Sequence, residues 1–131
     1  MPFVHIRVAG PRLAPEQVEK LQREATALMA GIMRKKEELT SVLVEQAEIS
    51  GWAIGGAAVP VAAHLDVKVT EGTNTEEEMA RFVRAANDLL KSVLGSQLPV
   101  ATYVVVHEIP STAWGYDGLT QEARKVAAAG G

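Results

Sequence analysis

Residues 3 to 9 alternate, with Val4, Ile6 and Val8 on one face and Phe3, His5 and Arg7 on the other; a period of two predicts a strand. Gly10-Pro11 breaks it. Beyond Pro15 the period changes, and Val18, Leu21, Ala25, Leu28, Met29, Ile32 and Met33 recur at three- and four-residue steps. That spacing predicts an amphipathic helix with Pro15 and Glu16 in its first turn and Arg34-Lys35-Lys36 at its negative C-terminal end. A second strand is predicted around Thr40 to Glu45. Ser50-Gly51-Trp52-Ala53-Ile54-Gly55-Gly56 follows, punctuated by glycines and expected to turn back on itself.

The pattern then restarts. His64 to Thr70 alternates as the first strand does, with Leu65, Val67 and Val69 apolar. Thr75-Glu76-Glu77-Glu78 reads as a capping box, with Glu76 to Glu78 as helix-cap charges. Met79, Phe82, Val83, Ala86, Leu90, Val93 and Leu94 carry the helical period until Gly95. Val100 to His107 predicts a further strand, and Trp114 to Gly118 answers Trp52 to Gly56. Trp52 and Trp114 lie 62 positions apart, and the two first strands align at an offset of 61. The chain is therefore two β-α-β units, residues 2–56 and 63–118, an internal repeat rather than two independent folds. A tail, 119–131, has room for a short helix.

A strand-helix-strand unit places its strands parallel with a right-handed crossover. The expected fold is α+β: a single domain, residues 1–131, with a four-stranded mixed sheet and two helices on one face. The other face carries Phe3, His5, Arg7, Asp66 and Lys68. A sheet covered on one side only predicts a partner, and a second copy of the chain is the expected one.

Composition narrows the classes. The 131 residues are 47% hydrophobic and 22% charged, with a net charge of -3, which gives no basic excess for nucleic acid or an anionic membrane. No apolar run is long enough to span a bilayer, and the first residues lack the build of a signal peptide, so the expected location is cytoplasmic. The chain has no cysteine, which removes disulfides, thiol nucleophiles and thiolate metal sites. His64 and His107 show no metal-ligand spacing, and neither a phosphate loop nor Gly-x-Ser-x-Gly occurs. No cofactor and no metal are expected.

Pro2 is the candidate reactive group. Removal of Met1 leaves a secondary amine at the head of an apolar strand, a base or nucleophile that needs no side chain. Such an amine beside cations in a partly dry pocket has its charged form disfavoured, which brings its pKa toward the working range of a base.

In this arrangement the chain resembles the tautomerase superfamily, in particular its 4-oxalocrotonate tautomerase group. Pro2, Arg12, Leu39-Thr40-Ser41-Val42 and Trp52-Ala53-Ile54-Gly55-Gly56 match its motifs in order, and the resemblance covers residues 2 to 118. The short members assemble as hexamers, so the resemblance implies two fused units and a homotrimer. It also implies proton transfer by Pro2 on a small anionic 2-oxo or enol carboxylic acid, with Arg12 holding the carboxylate and Trp52 or Trp114 lining an apolar wall.

The match is incomplete. The family's second arginine falls at Leu43, and at Tyr103 or Val105 in the second unit. Ala63 stands opposite Pro2, and Thr73 opposite Arg12. One candidate amine per chain follows, with Arg7 as a stand-in cation and Lys68 as a weaker one. Two alternatives remain beside tautomerisation: a proline-dependent hydratase or dehalogenase, which also needs a carboxylate to activate water, and a non-catalytic trimeric binding or assembly protein.

Overall fold

The alternating segment Phe3–Ala9 forms β1, and in the computed structural model, which describes residues 2–130, it lies near the middle of the main sheet. Met1 and Gly131 lie outside the described residues, and with Met1 the expectation of its removal. After β1 come α1 (Pro15–Gly31), β2 (Ser41–Ala47), a hairpin of β3 (Ala53–Ile54) and β4 (Ala57–Ala58), and β5 (Ala62–Thr70). The second half follows with α2 (Glu76–Leu94), β6 (Tyr103–Ile109), a hairpin of β7 (Gly115–Tyr116) and β8 (Leu119–Thr120), and α3 (Gln121–Gly130).

The main sheet runs β2-β1-β5-β6, parallel within each repeat and antiparallel between β1 and β5. This is the mixed four-stranded sheet expected of an α+β tandem repeat. Val4, Ile6, Val8, Leu65, Val67 and Val69 point to one face and are buried against Leu21, Met29, Phe82 and Leu90 of α1 and α2. Burial of these aliphatic side chains drives the assembly of the layers. The opposite face, with Leu43 and Tyr103 43% and 67% exposed, carries no layer among the described residues.

Local signals explain most element ends. Pro15 opens α1, where its missing N–H costs nothing. At α2, the Thr75 Oγ1 accepts from the Glu78 N–H at 3.1 Å, and Glu78 Oε1 accepts from the Thr75 N–H at 2.8 Å. The capping box is thus as the sequence predicts. Gly95 ends α2 at φ 93°. In the first hairpin Gly55 and Gly56 have φ of 62° and 78°, the left-handed pair that a two-residue turn demands.

Two expectations change. β2 and β6 lie further along the chain than predicted, because their pairing with β1 and β5 runs on to Ala47 and Ile109. Arg34, Lys35 and Lys36 are not in the last turn of α1, which ends at Gly31. Arg34 takes a left-handed φ of 58° past the helix end, while the Lys35 N–H reaches back to the Met29 carbonyl at 2.9 Å. The side chains of this segment therefore leave the helix axis and turn toward the second repeat.

Candidate active site

The register between the repeats decides which residues meet. His5 is paired with Asp66, its own counterpart at an offset of 61, and Val4–Val67 and Ile6–Leu65 exchange under the same operation. A local two-fold therefore passes through the His5–Asp66 pair. It sends Pro2 to one end of the sheet and Ala63, paired with Val8, to the other.

At the Pro2 end, the proline is fully buried and its carbonyl accepts from the Ser41 N–H at 3.2 Å. Continuing the β1–β5 register sets Pro2 beside the end of β5. There the Trp114 Nε1–H donates to Thr70 Oγ1 at 3.2 Å, and the Thr73 hydroxyl donates to the Thr70 carbonyl at 2.6 Å. Lys35 Nζ donates to Thr73 Oγ1 at 2.7 Å, and Arg34 Nη2 to the Thr73 carbonyl at 2.8 Å. Arg34 Nε also meets Glu78 Oε2 at 2.5 Å. Glu78 is thus more than a cap. Its carboxyl is pulled down to about 2, chiefly by the hydrogen bond from Arg34 and then by the Thr75 N–H, while Arg34 is pushed up by the same bond. Lys35 is pushed down, first by burial and then by the adjacent Arg34.

The other end holds three of the residues that the sequence grouped with Pro2. Arg7, Trp52 and His64 line a cavity of about 590 Å³ with Ala47 and Glu48. Arg12 lines a neighbouring one of about 400 Å³ with Gly10, Gln46 and Glu48. Within one chain, Arg7, Arg12 and Trp52 therefore do not meet Pro2. The reason is physical: the strand that carries Pro2 runs away from it toward the Gly10-Pro11 break, and Arg12 leaves from the far end. Trp114 alone of the four lies at the Pro2 end of the sheet, through its bond to Thr70.

The sequence reading missed a third feature. A cavity of about 360 Å³ is walled by Arg34, Lys35, Lys36, Arg124 and Lys125, with Tyr116 beside them. Leu39 also lines it, two residues before the Ser41 that bonds Pro2, hence within about 7 Å of that residue along the backbone. The Arg124 guanidinium stacks on the Tyr116 ring at 3.8 Å and donates to the Tyr116 carbonyl at 2.9 Å. The signal was in the chain as two basic runs, residues 34–36 and 124–125, but their convergence depends on tertiary folding.

On the uncovered sheet face, Asp66 is buried among cations and imidazoles. Lys68 Nζ is 3.8 Å away, His64 Nε2 3.3 Å, His107 Nε2 3.8 Å and His5 Nδ1 3.9 Å. His5 Nε2 bonds Glu45, which also lies 3.7 Å from Arg7. Among the described residues no set of three or more His, Asp or Glu side chains is arranged to hold a metal ion, and no helix is long and apolar enough to cross a membrane.

Comparison with known proteins places the fold. The model of a family described as "Tautomerase enzyme" matches residues 2–61 and again 64–124. Probable tautomerase K2 of Dickeya dadantii (strain 3937) is 34% identical over 59 residues, 45% of this chain and 88% of that protein. Pt0534 inactivated by 2-oxo-3-pentynoate superposes with a TM-score of 0.82 at 17% identity, over 93% of this chain and 98% of that one. A wild-type fused 4-OT symmetric trimer gives 0.78 at 19% identity, over 93% and 98% of the two chains. A macrophage migration inhibitory factor-like protein from Entamoeba histolytica gives 0.73 at 18%, over 91% and 97%. At such identities the solved structures establish the fold.

Proposed function

The chain belongs to the Tautomerase family, and on that premise we propose that it is a cofactor-independent isomerase whose base is the amine of Pro2, freed by removal of Met1. The substrate class is a small 2-oxo or enol carboxylic acid. Pro2 takes a proton from the carbon beside the carbonyl and returns it elsewhere on the conjugated system. The negative charge that develops on the oxygen is stabilised by nearby donors and cations. Inactivation of Pt0534 by 2-oxo-3-pentynoate, itself a 2-oxo acid, supports this class.

The observation that carries the reading is the asymmetry about the His5–Asp66 axis. Both repeats keep the scaffold and its tryptophan hairpin, but only one has a proline at the strand head, and Trp114 is the tryptophan at that end. Trp114 is assigned to the wall of the Pro2 site. Arg7, Arg12 and Trp52 lie at the Ala63 end of the sheet, so in this reading they belong to the vacated counterpart site and not to the amine of their own chain. The hydration alternative needs a carboxylate to activate water. Glu78, a carboxylate bonded into the Pro2 end, is engaged by Arg34 and Thr75 and pulled down to about 2, which removes it as that base.

The assembly proposed is a homotrimer in the cytoplasm, with the uncovered sheet face turned toward the other copies, as befits a fold shared with a fused 4-OT trimer. Ketonisation of phenylenolpyruvate tests the activity. A chain beginning at Pro2 is expected to catalyse it, and Pro2→Ala is expected to lower kcat about 100-fold or more, the usual scale of a positioned base. No rate from a chain beginning at Pro2 would favour the non-catalytic assembly reading instead.

A further inference from the structure

The cavity of Arg34, Lys35, Lys36, Arg124 and Lys125 brings five cationic side chains together, and no Asp or Glu lines it among the described residues. Like charges gathered around one space repel, and that repulsion is relieved when an anion enters. Arg34 is engaged by Glu78, but Glu78 stands outside the cavity wall.

Two donors point independently to a ligand. Arg124 Nε and Gln121 Nε2, both on residues of the cavity wall, are buried and have no hydrogen-bond partner. Native proteins seldom leave a buried N–H without an acceptor, because the group has given up water for nothing. Arg124 cannot simply swing away, since its guanidinium is stacked on Tyr116 and tied to the Tyr116 carbonyl. A guanidinium pinned on one side and left with an unpartnered N–H is a preorganised half of a carboxylate clamp. The backbone contributes too: Arg34 holds a left-handed conformation that favours glycine, and strain of this kind collects where a site needs a particular side chain.

We propose that this cavity binds the carboxylate of the acid on which Pro2 acts, with Arg124 and Gln121 donating to its oxygens and Lys35, Lys36 and Lys125 supplying the charge. It thereby fills the part left open by Leu43 and Thr73, where the sequence lacks the expected arginines. The position fits. Leu39, on the cavity wall, leads through Thr40 to the Ser41 whose N–H is bonded by Pro2, and Lys35 is bonded to Thr73, the counterpart of Arg12. The proposal rests on Pro2 being the base, and its test separates the two claims.

The test uses the full chain with its amino terminus at Pro2. Steady-state ketonisation of phenylenolpyruvate is measured for Arg124→Gln, Lys35→Gln and Arg124→Lys, and malonate binding is titrated by calorimetry in the same variants and in Pro2→Ala. KM is expected to rise about tenfold or more in the two Gln variants with kcat within about threefold, and Arg124→Lys is expected to recover part of the loss. Malonate affinity is expected to fall in parallel in the Gln variants and to be retained in Pro2→Ala. An unchanged KM in both Gln variants overturns the proposal, even if malonate binding is lost. Tighter binding of inorganic phosphate than of malonate overturns the carboxylate assignment. If Pro2→Ala keeps its rate while the Gln variants lose KM, the base is elsewhere and the cavity remains the anchor.

Discussion

His5 stands opposite Asp66, its own counterpart 61 residues along the chain, and the rest of the site follows from that pairing. Within one chain, the residue that follows β1 stands at the opposite end of the sheet from the residue that precedes it. Pro2 and Arg12 are held apart by the length of the sheet, about 20 Å along the six residue steps from Ser41 to Ala47. Each end is instead furnished by the other repeat: the Pro2 end with Thr73 and Trp114, the Ala63 end with Arg12 and Trp52.

The two tryptophans are therefore expected to differ in function although their sequences match. Trp114→Ala is predicted to raise KM for phenylenolpyruvate about fivefold or more, through loss of an apolar wall. Trp52→Ala and Arg12→Ala are predicted to leave it within about twofold. Steady-state kinetics on the three variants checks this, and the reverse order would place the working site at the other end.

Much of the fold was legible in the sequence. Alternation at residues 3–9 and His64–Thr70, the helical period of α1 and α2, and the capping box at Thr75 all rest on interactions between near neighbours. The site was less so. The resemblance assigns Arg12 to the substrate of Pro2, whereas within one chain the length of β1 sets the two at opposite ends of the sheet. Arg34-Lys35-Lys36 looked like helix-end charges because the apolar period runs on to Met33. The helix stops at Gly31, and the left-handed Arg34 turns the segment toward Thr73 and Glu78. Nothing local to residues 124–125 announces that they close the same cavity.

The Arg34–Glu78 bridge gives a pH signature. The folded-state carboxyl of Glu78 lies near 2, below its ordinary 4.5, so the bridge stabilises the protein above about pH 4.5 and is lost as pH falls through about 2. Thermal melts of the wild type and Glu78→Gln are expected to differ most near neutral pH and to converge toward about pH 2.5. A gap that widens in acid would contradict the assigned direction. The Arg34 side chain is 60% exposed, so solvent screens the bridge and the difference should be modest.

Phe82 is the bulkiest of the fully buried side chains, set between α2 and the apolar face of the sheet. Phe82→Ala is predicted to lower stability by about 3–5 kcal/mol, from lost transfer energy plus the cavity left behind. Chemical denaturation measures it. A cost below about 1 kcal/mol would mean that the core is packed elsewhere.

Gly115 positions the hairpin that carries Trp114 and Tyr116. A Cβ there would stand 1.8 Å from the Leu119 carbonyl oxygen, so Gly115→Ala must displace one strand of the hairpin. The substitution is predicted to raise KM at least as much as Trp114→Ala and to lower the melting temperature. Unaltered kinetics would separate the hairpin from the site.

The amine of Pro2 carries the whole account, and covalent labelling interrogates it directly. Intact mass is recorded before and after treatment with 2-oxo-3-pentynoate, and the modified residue is located by peptide mapping. The predicted result is a chain that begins at Pro2 and takes one label, on the amino-terminal peptide, with activity lost in proportion. An active chain that retains Met1, or a label on any other residue with Pro2 free, would contradict it.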